Sequence, residues 1–176
     1  MRLVFPSERY AYKAADYIQE FYDYSSEING TGSLQHFLKQ ADYKLWLKKV
    51  MADLDIANME ENRVPAYTYF YVREEDDQIV GMINIRLVLN EFLRTEGGHI
   101  GYSIRPTERG KHYGSQMLRE GLAICKMLRI HDVIVTCDKD NPASAGVIRN
   151  CGGELDEEFY SDTFKTIIQR YIIRLI

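Results

Sequence analysis

Residues 105–121 read RPTERGKHYGSQMLREG. Arg109 and Lys111 bring two positive charges to a stretch in which Gly110 and Gly114 leave the main chain bare, and Ser115 follows with a hydroxyl. If a helix begins here, the N–H groups of its first turn are unpaired and its dipole places about half a positive charge at that end. Such a turn takes an anion, phosphate above all. The two best-known phosphate signatures are missing: Gly114-Ser115 completes no GxxxxGK[ST], and no GxGxxG occurs. Nucleoside triphosphates and nicotinamide dinucleotides are thereby set aside.

The elements around this stretch must hold it at the end of a strand and the start of a helix. His99 to Arg105 reads as a strand ending at Pro106, and about His112 to Arg129 as an amphipathic helix burying Tyr113, Met117, Ile124 and Leu128. DVIVTCD at 132–138 is a nearly continuous apolar run, the pattern of a central strand covered on both faces. Strand, helix and strand at this spacing predict a βαβ unit with 99–105 parallel to 132–138. NPASAGVIRNCGG at 141–153 predicts a short helix, with Asn141 as cap and Pro142 in its first turn.

Upstream, Leu3–Phe5 reads as a short strand. Tyr10, Ala14, Tyr17, Phe21 and Tyr24 line one face of a helix over 8–24, SSEINGTGS at 25–33 is a loop, and a second helix runs to about Met51 with Leu34, Leu38, Ala41 and Leu45 as its stripe and Trp46 beside it. Residues 66–73 and 78–89 form a hairpin across Glu74–Asp77, and two last strands fit at about 154–160 and 165–175. The expectation is one α/β domain over 1–176: a mixed central sheet of about seven strands with about four helices.

Composition agrees with a globular chain, at 45% hydrophobic and 27% charged with four prolines. No run approaches the roughly 20 apolar residues of a membrane span, and the first residues form no signal sequence, so a cytoplasmic protein without a membrane partner is expected. A net charge of −4 argues against a nucleic-acid partner. Cys125, Cys137 and Cys151 form no CxxC pair and the four histidines have no ligand spacing, so no metal is expected and the cysteines read as buried or half-buried thiols.

With these elements in place, Arg109-Gly110-Lys111-His112-Tyr113-Gly114 resembles the phosphate-loop pattern Arg/Gln-x-x-Gly-x-Gly/Ala of the GNAT superfamily of N-acetyltransferases, matching at the first and last positions and departing at His112. GGHIGYSIRPTERGKHYGSQMLREGL, VTCDKDNPASAGVIRNCGGEL, VREEDDQIVGMINIR and QRYIIRLI are similar to one bacterial subgroup of predicted acetyltransferases, so the resemblance covers nearly the whole chain.

It implies acetyl-CoA as co-substrate, held by a core over about 78–153. The N–H groups of residues 109–114, with Ser115, would take the pyrophosphate. The edge of Tyr102, Ser103 and Ile104 would pair with the pantetheine arm, and Asn141 and Ser144 match positions that contact the coenzyme. The acceptor would be a small-molecule or peptide amine, met by a wall built from the helix over 8–24 and its loop. A lysine-like amine with a pKa of about 10.4 is protonated at neutral pH, so its attack on a thioester needs a base. The resemblance points to His99, with Glu96 second.

The family's usual acid is a tyrosine seven positions beyond the asparagine, but that position here is Ile148, leaving water, Tyr160 or Tyr171. The main alternative is a non-catalytic acyl-CoA binder or sensor on the same fold. Monomer and homodimer both remain open.

Overall fold

The computed structural model describes residues 1–55 and 63–175. Among these residues seven strands group into two antiparallel sheets. The first contains β1 (Arg2–Val4), β2 (Ala66–Arg73), β3 (Gln78–Arg86) and β4 (Ile100–Ile104) in that order. The second has the order β5-β7-β6, from β5 (Asp132–Asp138), β6 (Gly153–Ser161) and β7 (Thr166–Arg174).

The sheet is therefore not one mixed layer. The expected parallel ladder between 99–105 and 132–138 does not form; β4 and β5 are the facing edges of separate sheets, tied at one point where His99 N–H donates to Ile134 O at 2.7 Å. Nor is β5 a central strand. Val133, Val135 and Cys137 are buried, while Ile134 and Thr136 between them are only half-buried.

Five α-helices pack on these sheets among the described residues. A 3₁₀ turn (Glu8–Tyr10) leads into α1 (Ala11–Asp23), which buries Tyr10, Ala14, Tyr17, Ile18 and Phe21 as the periodicity requires. Tyr24, expected on that face, lies just beyond the helix and is 59% exposed.

The second expected helix divides into α2 (Leu34–Leu38) and α3 (Tyr43–Ala52). Ala41 takes a left-handed φ of 55°, and Asp42 caps the new helix by accepting from Leu45 N–H at 2.8 Å. The break resets the helical phase. Tyr43, Trp46 and Val50 now face the core, and Leu45 is turned to solvent. Trp46 is the anchor of this layer; its indole donates to Thr31 O and Gly32 O and its ring lies 5.8 Å from Phe70.

On the other side, α4 (Tyr113–Met127) presents Met117, Leu118, Leu122 and Cys125 to a core shared by both sheets, while Leu128 stays at the surface. There α5 (Pro142–Asn150) buries Ala145 and Ile148.

Candidate active site

The bonds that close β3 against β4 fix which way β4 directs its main chain. Arg86 N–H donates to His99 O and Arg105 N–H to Val80 O, each at 2.8 Å, and in this register Gly101 and Ser103 direct their main-chain groups at β3. Tyr102 and Ile104 therefore direct theirs at the gap toward β5. Across that gap, pairing to β7 leaves the main chain of Ile134 and Thr136 facing β4. His99 takes up Ile134. The N–H groups of Tyr102, Ile104 and Thr136 find no acceptor among the described residues. Two strand edges thus diverge from one contact and leave a slot lined by unpaired amides.

The slot leads to the start of α4. A 3₁₀ turn over Pro106–Glu108 ends β4, and Gly110 follows with φ +78°. His112 adopts φ 62° and ψ 8°, the left-handed conformation, immediately before the helix. The first helical bond is Gln116 N–H to His112 O, and the N–H groups of residues 110–115 have no acceptor among the described residues. That run of free donors stands at the start of a 15-residue helix, at the place where the sequence predicts an anion cradle. A Cβ on Gly110 would meet nothing within 4 Å, so its outer face is open. A Cβ on Gly114 would meet Val147 at 3.1 Å; this glycine serves the close approach of α5 instead.

Charges around the cradle hold the loop, a part no short motif announced. Arg105, nearly fully buried, donates to Asp16, Glu20 and Ile79 O at 3.0, 2.7 and 2.9 Å. Glu20 also accepts from Thr107 N–H and its hydroxyl. Glu108 bridges Arg73 and Lys111; burial pushes its carboxyl up, but those two donors outweigh it and hold it below the ordinary range. Lys111 is therefore neutralised by Glu108. Arg109 reaches back to Ile104 O and to Ser26 Oγ at 2.7 Å, over the ring of Phe21.

The loop at 25–33 is pinned to β4. Ser103 Oγ donates to Asn29 O at 2.5 Å and contacts the buried Tyr17 hydroxyl at 3.0 Å. Gly30, at φ +69°, lies so close that a Cβ there would stand 2.3 Å from Gly101 O. Tyr10 and Tyr17 are core residues, so they do not line an acceptor pocket.

Asn141 caps α5 by accepting from Ser144 N–H at 3.0 Å, and Ser144 Oγ lies 2.9 Å from the Tyr102 hydroxyl. His99 has another task than the one expected of it. It is 8% exposed, its Nδ1 accepts from Ile134 N–H at 3.0 Å, and burial, followed by the charges of Arg86 and Arg94, pushes its imidazole down to about 4. It joins the two sheets as a neutral ring and is removed as a base. Glu96 stands in a π-helical turn (Leu93–Gly97), half-buried, with one carboxylate oxygen on Ser161 Oγ at 2.5 Å and the other without a partner among the described residues. Tyr171 is committed to Gln169 and Arg149, and Tyr160 is 59% exposed.

Residues 12–154 match the family description Acetyltransferase (GNAT) domain. The chain belongs to the GNAT acetyltransferases. Solved GNAT-type structures share its fold at low identity. The ribosomal-protein-S5-alanine acetyltransferase from Vibrio fischeri has a TM-score of 0.72 at 16% identity, over 98% of this chain and 91% of that one. Mycobacterium smegmatis RimJ, solved with CoA-disulfide, gives 0.72 at 16%, over 98% and 80%. The microcin C7 self-immunity acetyltransferase MccE, solved with acetyl-CoA and AMP, gives 0.71 at 14%, over 98% and 91%.

No curated protein sequence gives a significant match. Among the described residues of this GNAT chain no three His, Cys, Asp or Glu side chains form a metal-binding group, and no helix is long and apolar enough to cross a membrane.

Proposed function

We propose that this GNAT acetyltransferase moves an acetyl group from acetyl-CoA to an amine by direct attack in a ternary complex. The observation that carries the reading is the continuity of the slot with the cradle: unpaired N–H groups at Tyr102 and Ile104 lead to six more at residues 110–115. Coenzyme A combines a pyrophosphate with an arm containing two amides, and the arm pairs with an open strand edge as another strand would. The coenzyme supplies an activated acetyl thioester; everything else is the work of the chain.

Gly110 to Ser115 take the pyrophosphate through main chain, Asn141 shapes the first turn of α5 beside the arm, and the N–H of Tyr102 or Ile104 donates to the oxygen on which negative charge develops. Glu96 is the available base, acting directly or through water, since its free oxygen can accept the proton the amine must lose. The resemblance of fold to a ribosomal-protein-S5-alanine acetyltransferase supports an amine acceptor on a peptide, and a small-molecule amine is the other class the same chemistry admits.

Calorimetry with acetyl-CoA is expected to show binding, and thiol release against polyamines, aminoglycosides and peptides is expected to identify at least one acceptor. Absence of coenzyme binding would overturn the proposal. Tight binding without turnover across the panel would favour the acyl-CoA sensor.

A further inference from the structure

Position 148, where a phenol is expected, is an isoleucine buried completely in the core. A phenol nevertheless reaches α5 from the opposite side. Tyr102 lies in the middle of β4, and its hydroxyl stands 2.9 Å from Ser144 Oγ and 3.3 Å from Ser144 O, in the first turn of α5. Its side chain thus crosses from the edge of one sheet to the helix that follows the edge strand of the other. Its own N–H is one of the unpaired donors lining the slot. Main chain and side chain of one residue therefore both address the place where the thioester would lie.

We propose that Tyr102 is the general acid of the transfer, delivered from β4 instead of α5, with Ser144 as the link that restores its proton. This rests on the coenzyme reading above. The amine nitrogen forms the new C–N bond, the C–S bond breaks with its electron pair going to sulfur, and the sulfur takes the hydroxyl proton of Tyr102. Ser144 Oγ passes a proton to the phenolate and regains one from solvent, which its half-buried position admits. The amine's surplus proton leaves through the base or water, so acetyl-CoA and amine give amide and free thiol.

Burial pushes the Tyr102 phenol well above its ordinary value, so it is a neutral donor across physiological pH and its proton must be replaced as it departs. The titratable groups nearest to it, Cys137 of β5 and Cys151 after α5, are also held up by burial and stay uncharged.

The test needs no acceptor. Coenzyme A and desulfo-coenzyme A, the same molecule without sulfur, are compared by calorimetry at about pH 10, where the alkyl thiol of coenzyme A, less acidic than a cysteine side chain at about 8.5, is mostly thiolate. The native chain is expected to prefer coenzyme A by about tenfold, the usual worth of a hydrogen bond to a charged group. Tyr102→Phe should bring the preference to about one. A variant that keeps the tenfold preference overturns the acid. If the native chain binds neither ligand, the coenzyme reading itself fails and takes the acid with it; native binding without preference overturns the acid alone. Should Tyr102→Phe lose both ligands, 3-fluorotyrosine placed at 102 alone keeps the ring and strengthens the donor. The preference should then rise severalfold, and an unchanged preference overturns the proposal.

Discussion

His99 carries a consequence for acid stability. Its folded-state value of about 4 lies below the ordinary 6.5, so between those values the unfolded chain binds the extra proton. Stability is complete above about pH 6.5, falls as pH drops through the window, and levels off near pH 4. The loss is at most about 3 kcal/mol for this separation. His99→Asn offers an acceptor where Nδ1 stands but cannot titrate. Melting temperatures between pH 7 and 4.5 should therefore decline less in that variant than in the native chain; equal declines would show that other groups dominate. The residue's type and position at the start of a strand suggested a base, because sequence shows a titratable ring and not its partner. Ile134, 35 positions on, decides the matter by occupying Nδ1. Asn141 was legible for the opposite reason: its partner, Ser144 N–H, is three positions away.

At the scale of elements, the cradle depends on a left-handed residue that is not glycine. His112 is exposed, forms no side-chain hydrogen bond among the described residues, and holds φ 62°. Its imidazole is therefore incidental and its backbone angle essential. His112→Gly should leave coenzyme A affinity by calorimetry within a few fold. His112→Val, whose branched Cβ disfavours this angle, should lower stability by about 1–2 kcal/mol in urea unfolding and weaken coenzyme A. A large loss on His112→Gly would instead make the ring a ligand. The existence of α1, α4 and α5 was readable from periodicity, and the start of α5 from its capping residue Asn141, whereas α1 and α4 begin without a side-chain cap. The break between α2 and α3 was not, since nothing in apolar spacing announces the left-handed turn at Ala41 that rotates Leu45 outward and Trp46 inward.

For the whole molecule, the slot predicts a pattern of amide exchange. In the free protein the amides of Gly101 and Ser103, bonded to β3, should exchange slowly, and those of Tyr102, Ile104 and residues 110–115 fast. Coenzyme A should slow the second set and leave the first nearly unchanged, as read by hydrogen exchange with NMR. Uniform protection of β4 before ligand is added would contradict an open edge. The strands themselves were legible, but their grouping was not. A βαβ pattern normally closes a parallel pair, and here the pairing stops after His99 and Ile134, leaving the facing N–H groups of Tyr102, Ile104 and Thr136 without acceptors among the described residues.

That division also orders the molecule in time. Every strand of the first sheet lies between Arg2 and Ile104, and every strand of the second between Asp132 and Arg174. A ribosome therefore releases one complete sheet before any strand of the other exists, and the nascent chain can close β1 to β4 and seat α1 on it early. The slot between β4 and β5 has no such early form. It comes into being only when Ile134 reaches His99, which makes the site proposed for the coenzyme, unlike the first layer of the fold, a late event in the life of the chain.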